Sequence, residues 1–242
     1  MSGFDEVYNE RQKQIKAFRF DEKVTSVFPD MIKRSVPGYN LIISNISMLT
    51  EKYAQPDTVC YDLGCSLGAS TFAISEGINV PGCKIVAVDN SPAMIDEFRL
   101  KLGEFNTVVP VETICADVNE VIFEKSSVNV LNFTLQFIHP EKRLPLLTKL
   151  CNSTVPGGIL ILSEKLKFAE EVKNEHQIEL YHSFKKYNGY SSLEISQKRT
   201  ALENVLIPET FETHKSRLLE AGYNQVDIWF SCFNFCSILA VK

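Results

Sequence analysis

At 242 residues, 45% of them hydrophobic, the chain can bury a full core, which excludes a disordered or fibrous protein. Lys and Arg number 25 against 30 Asp and Glu, a net charge of −5 that argues against a broad polyanion-binding face but leaves room for local cations against a small anionic substrate. The seven cysteines, Cys60, Cys65, Cys83, Cys115, Cys151, Cys232 and Cys236, form no CxxC pair and are odd in number, which argues against a disulfide framework and for a reducing compartment.

The first twenty residues interleave charges with apolar side chains, and no run reaches the length of a membrane span. The expectation is a soluble, cytoplasmic protein without a signal peptide. Residues 1–55 read as a helical lead-in, two helices around the turn Pro37-Gly38, with Ile42, Ile43, Ile46 and Leu49 at near-helical spacing on the second. Apolar β-type segments then alternate with helical ones: "DTVCYDLG", a helix from about Ala69, "CKIVAVDN", a helix from about Pro92 capped by Asn90-Ser91, "VETICADV", "VNVLNFTLQFI" and a helix from Pro140. The "VPGG" turn at Val155–Gly158 is expected to stop that helix and lead into a fifth buried strand, "ILILSEK". That rhythm predicts βαβ units and a doubly wound, mostly parallel α/β sheet.

Residues 166–205 break the rhythm and read as a charged helical insertion covering one end of the sheet. Ile178, Tyr181, Phe184 and Tyr187 recur there every third residue and read as core or subunit interface rather than as a substrate box. A surface helix ending at Gly222 and two β segments bent around Asn234 close the chain as an antiparallel pair. Residues 1–242 are expected to form one domain.

In a doubly wound sheet the ligand sits outside the carboxyl ends of the strands, where the first strand's loop enters a helix. "YDLGCSLGAS" occupies that place, with Gly64 and Gly68 letting the backbone approach a ligand. Cys65 is expected to present its backbone N–H and leave its sulfur idle. Asp89, at the second strand's end, suits the two hydroxyls of a ribose; Asp117, at the third, with the following N–H suits an adenine; Asn132 follows the fourth. Each alone is as consistent with a turn or cap, and their conjunction carries the weight. A dinucleotide wants three close glycines under a pyrophosphate, whereas this loop has Ser66 between its two and Asp62 just before them. An acid repels a pyrophosphate and attracts the amino group of a methionine, so S-adenosylmethionine is the better fit.

Asp62–Gly68, "DNSPAM" at Asp89–Met94, "NFTLQF" and "PGG" resemble the class I S-adenosylmethionine-dependent methyltransferases, whose fold has seven strands with a terminal antiparallel hairpin. Longer strings, "FPDMIKRSVPGY", "YDLGCSLGA", "VDNSPAMI", "LSEK", "NGYSSLEISQKR", "ETHKSRL" and "CFNF", spread over almost the whole chain, are similar to the carboxy-S-adenosyl-L-methionine synthase family within them. The resemblance implies that S-adenosylmethionine and prephenate enter, and that carboxy-S-adenosylmethionine, phenylpyruvate and water leave. It further implies a homodimer and a product that serves oxyacetic acid modification of wobble uridine in transfer RNA. The acidic charge predicts no direct nucleic-acid binding by this chain.

Carried over onto matching positions, the resemblance implies S-adenosylmethionine contacts at Tyr39, Gly64, Cys65, Ser66, Asp89, Asn90, Asp117, Val118 and Asn132, and a guanidinium, Arg199, that grips the product's carboxylate as the catalytic group. Without the family, Arg199 reads as a solvated cation on an inserted helix and Tyr39 as a packing aromatic. Lys165 and Lys198 are candidates for the second substrate by charge alone, and the four histidines are too scattered for a metal site. Two other readings stay open: an ordinary methyltransferase of a small molecule or transfer RNA, and a non-catalytic S-adenosylmethionine-binding protein.

Overall fold

The apolar runs become seven strands of one sheet because each is short, rich in Val and Ile, and bounded by turn residues. The computed structural model describes residues 3–242. In chain order the strands are β1 (Val59–Leu63), β2 (Lys84–Asp89), β3 (Val111–Cys115), β4 (Ser126–Asn132), β5 (Thr154–Lys165), β6 (Gln225–Cys232) and β7 (Phe235–Val241). They lie in the order β3-β2-β1-β4-β5-β7-β6, with β3 to β5 parallel and β7 antiparallel to both its neighbours. The order reverses between β1 and β4, the place where an open α/β sheet leaves a crevice.

Helices α1 (Glu22–Ser35) and α2 (Tyr39–Tyr53) precede the sheet, and α3 (Ala69–Gly77), α4 (Pro92–Glu104) and α5 (Pro140–Ser153) connect its strands. Residues of α2 and α3 pack one face through Ile42, Ile46 and Ile74 against Cys60, Ile85 and Val128. Residues of α5 and α8 (Phe211–Ala221) pack the other, where Leu147, Leu150 and Leu218 meet Tyr61, Leu63 and Leu160. Strand alternation thus sends Tyr61 and Leu63 to one side and Cys60 to the other. Between β5 and α8 run α6 (Glu171–Tyr187) and α7 (Ser192–Leu202), the latter held by a capping box between Ser191 and Glu194.

Helix starts follow the sequence closely. Ser91 accepts the Met94 N–H at 3.2 Å with Pro92 in the first turn, and Gly38 opens α2 in the left-handed region at φ 73°. The "VPGG" segment departs from expectation. It belongs to β5 itself, where the register with β4 shifts between Ser126 and Val128, so the turn is an irregularity within the strand.

Candidate functional site

A cavity of about 390 Å³ opens over the carboxyl ends of the strands, a size usual for a small-molecule site. Its edge runs along the sheet order. Asp117 follows β3, Asp89 ends β2, the Gly64–Ser66 loop follows β1, Asn132 ends β4, Lys165 ends β5 and Phe235 begins β7, and all of them line it. With strands about 4.8 Å apart, Asp117 and Lys165 stand roughly 19 Å from one another across four spacings.

The loop is preorganised by its neighbours. Gly64 has φ 81°, and a Cβ there would lie 2.2 Å from Oγ1 of Thr134; Ser66 itself holds φ 50°. Its N–H donates to Asp89 at 2.9 Å, and the other oxygen of that carboxylate accepts the Ser91 N–H, also at 2.9 Å. Burial nevertheless raises the Asp89 carboxyl above its ordinary range. Asp117 is locked in a similar way, one oxygen accepting the Asn119 backbone N–H at 2.9 Å and its side-chain amide at 2.7 Å. Val118 starts the short 3₁₀ turn Val118–Glu120, where a backbone N–H has no intrahelical acceptor.

The Asn132 side-chain amide donates to Oγ of Ser70 at 3.2 Å, and its side-chain carbonyl oxygen is buried with no partner among the described residues. A buried acceptor left open in a cavity wall is a place for a ligand's N–H. Tyr39 opens α2 and also lines the cavity, its phenol held neutral by burial and by the nearby charge of Asp62. The Cys65 thiol packs against Ala87 and Phe98, and burial beside Asp62 and Asp89 pushes it well above the ordinary thiol range, so its sulfur stays protonated.

The structure therefore brings together Tyr39, Gly64, Cys65, Ser66, Asp89, Asn90, Asp117, Val118 and Asn132, and leaves out Arg199. Adjacent helical residues point about 100° apart, so with Lys198 turned inward from α7, Arg199 faces outward and is exposed. Its charge still reaches the cavity, where it adds to burial in lowering Lys165.

Two expectations are corrected. Asp62 does not face the ligand, because strand alternation turns its carboxyl beneath α3, where it accepts the Thr71 hydroxyl at 2.6 Å; burial and Asp89 raise it to about 7. Tyr181 is a cavity wall rather than core or interface alone, while Tyr187 of the same row is 91% exposed.

Other lining residues were not singled out from the sequence. Phe18 and Phe20 come from the polar-looking start, seated where the Phe18 N–H donates to the Ala201 carbonyl at 2.8 Å and the Ser91 hydroxyl to the Phe20 carbonyl at 2.6 Å. Their one visible signal is an alternating "FRF" that ends a charged stretch. Phe133, at φ 61°, and Phe235 face the cavity beside Tyr181.

The side of the cavity opposite Asp117 is cationic. Lys165 and Lys198 line it, and burial lowers both ammonium groups to about 8. Lys198 donates to Oγ of Ser35 at 3.2 Å and lies 3.7 Å from Asp5. Lys185, behind them, is lowered to about 7 by burial and by Lys198 and Lys165.

A relative from Geobacter sp. strain M21, named carboxy-S-adenosyl-L-methionine synthase, is 55% identical over 239 residues, covering 98% of each chain. The protein of that name from Vibrio campbellii is 51% identical over 98% of this chain and 97% of its own. This chain belongs to the carboxy-S-adenosyl-L-methionine synthase family. A methyltransferase domain family matches residues 60–158. Solved structures extend the likeness to the fold alone. Magnesium protoporphyrin IX methyltransferase from Synechocystis PCC 6803 matches with a TM-score of 0.60 at 13% identity, covering 88% of this chain and 87% of that one. Human N-acetylserotonin methyltransferase gives 0.59 at 16%, covering 91% of this chain and 55% of that one. The chain thus has a class I methyltransferase fold, and the strand-end row from Asp117 to Asn132 lies inside the matched domain.

Proposed function

We propose that the chain is a carboxy-S-adenosyl-L-methionine synthase, converting S-adenosylmethionine and prephenate to carboxy-S-adenosylmethionine, phenylpyruvate and water. The observation that carries this is a single cavity with two unlike ends, hydrogen-bonding strand ends over β3 to β4 and cationic over β5. A simple methyl transfer to a neutral acceptor gives the second end nothing to do, whereas an anionic second substrate needs it.

In this reading Asp117 and Val118 meet the adenine, Asp89 and Asn90 the ribose, and the Gly64–Ser66 loop the chain between ribose and amino acid. The open carbonyl of Asn132 accepts the methionine ammonium, and Tyr39 covers the ligand from α2. The sulfonium supplies an acidified methyl group, and aromatisation of the second substrate releases carbon dioxide and a hydroxide; the hydroxide takes the methyl proton and leaves as water, and the resulting carbanion forms its new carbon–carbon bond to the carbon dioxide. The protein's work is then to position the two and exclude water, in keeping with walls of Phe18, Phe20 and Phe137. Arg199, at the rim and felt by Lys165, is proposed to reach the product's carboxylate.

The product would pass to a separate enzyme acting on wobble uridine in transfer RNA, in the cytoplasm. A homodimer is part of the proposal, supported by exposed Leu41 and Met48, seven residues apart on one face of α2; sedimentation as a monomer at micromolar concentration would remove it. The main test is incubation with S-adenosylmethionine and prephenate and mass analysis of the nucleoside. A gain of one carbon dioxide supports the reading, and release of S-adenosylhomocysteine without that gain overturns it.

A further inference from the structure

Four buried or half-buried cations surround the outer end of the cavity, and they differ in whether a carboxylate already answers them. Arg34 is paired with Asp30 at 2.8 Å, and Lys198 with Asp5 at 3.7 Å. Lys185 lies outside the cavity lining, behind the rings of Tyr181 and Tyr190, 5.4 and 5.5 Å from their centroids. Lys165 alone among the four lines the cavity without a carboxylate in reach among the described residues. Among the described residues its ammonium has no hydrogen-bond partner, and it rests 4.8 Å from the Tyr181 ring centroid. A desolvated ammonium without a counter-ion is costly, and a ring face offsets only part of that cost.

The surroundings of Lys165 are as specific as its charge. Its backbone N–H is fixed to Oε1 of Gln136 at 3.0 Å, which sets where β5 ends. Three rings form a continuous wall beside it, Tyr181 against Phe235 at 5.0 Å between centroids and Phe235 against Phe133 at 5.9 Å, all lining the cavity. Those rings come from α6, β7 and the residue after β4, and nothing in the nucleotide-holding row needs them. An unanswered cation at the edge of an aromatic wall selects a ligand that is itself a ring bearing a carboxylate.

We propose that Lys165 and the Phe133–Phe235–Tyr181 wall are the docking subsite of the second substrate, with its ring on the wall and a carboxylate on the Lys165 ammonium. This rests on the reading above that an anionic second substrate shares the cavity with S-adenosylmethionine. The sheet order then assigns the two ligands to neighbouring strands, the amino acid end of one at β4 and the carboxylate of the other at β5. Lys198, already answered by Asp5 and Ser35, is left a supporting part.

The test is kinetic and binding together, on the full chain. Lys165→Met is expected to raise the KM for prephenate about ten- to a hundredfold, the worth of one charge-assisted hydrogen bond, with the calorimetric Kd for S-adenosylmethionine changed by less than about twofold. Lys165→Arg is expected to recover most of the loss, and an unchanged melting temperature in both separates docking from folding. Parallel loss of S-adenosylmethionine affinity, or an unchanged KM, overturns the subsite. A turnover-free arm separates this inference from the functional reading: phenylpyruvate is titrated into protein saturated with S-adenosylhomocysteine. Binding that Lys165→Met abolishes supports the subsite even if wild-type protein fails to carboxylate. Carboxylation that proceeds with no dependence on Lys165 keeps the function and removes the subsite.

Discussion

Asn132 and Lys165 end neighbouring parallel strands, yet the parts of the cavity they belong to are made in different ways. Over β1 to β3 the walls are main-chain N–H groups and carboxylates that have already found partners in the loop, such as Asp89 between Ser66 and Ser91. Over β5 and β7 they are a lone ammonium, aromatic rings and helices α6 and α7. The first kind of wall is dictated by strand ends, loops and caps, and suits a nucleotide of fixed shape. The second depends on side chains from distant segments meeting, and it is where specificity for a second substrate can be set.

The two parts of the cavity should fail together where a single residue supports both. Arg143 is fully buried and donates to the carbonyls of Ile138 at 2.8 Å, Ile207 at 2.9 Å and Gln136 at 3.3 Å, and to Glu209. Arg143→Ala leaves Glu209 and the buried Glu164 without that charge, so urea denaturation should show a loss of about 3–5 kcal/mol, with both ligands affected. Gly68→Ala strikes the nucleotide side. The glycine has φ 83°, and the new Cβ would lie 1.9 Å from the ring of fully buried Phe98, so about 2–4 kcal/mol of stability and most S-adenosylmethionine affinity should go together.

Smaller changes separate the two sides. Asn132→Ala removes the open carbonyl and should weaken S-adenosylmethionine by about ten- to a hundredfold in calorimetry, while phenylpyruvate binding to ligand-saturated protein stays level. Equal losses would mean that the two subsites are one. Arg199→Ala should preserve S-adenosylmethionine binding and erase the preference for the carboxylated product, a similar factor read by competition; equal weakening of both ligands would refute that role.

The gentlest probe is pH. A Lys165 ammonium at about 8 when free is held charged by a bound carboxylate, so affinity is full below that value and falls as pH rises through it, by at most about tenfold per unit. The facing groups limit other contributions. His182 is lowered and Tyr181 raised, so neither changes charge there; Lys185 is already neutral above about 7, and Lys198, at about 8, titrates alongside. In Lys165→Arg the Lys165 share of the fall should vanish, and an unaltered profile would assign the whole of it to Lys198.

Much of the nucleotide side was legible from single residues. Glycines beside a strand end, Ser91-Pro92 before a helix and acids closing β2 and preceding the 3₁₀ turn are local rules, and the chain obeys them. Asp62 shows their limit. Its position next to the loop suggested a ligand contact, but the two-residue period of β1 buries it on Thr71. Arg199 sits differently on its helix: one step along α7 from Lys198 it is exposed and outside the cavity lining, while its charge still acts on Lys165.

By itself, then, the sequence determined the strand and helix rhythm, the class of sheet and the row of strand-end residues, since these depend on interactions between near neighbours along the chain. Packing between distant segments decides that Phe18, Phe133, Tyr181 and Phe235 share a cavity, and that among the described residues Lys198 has a carboxylate partner while Lys165 has none. The reason is physical: a counter-ion acts through space, and Asp5, which answers Lys198, comes from the opposite end of the chain.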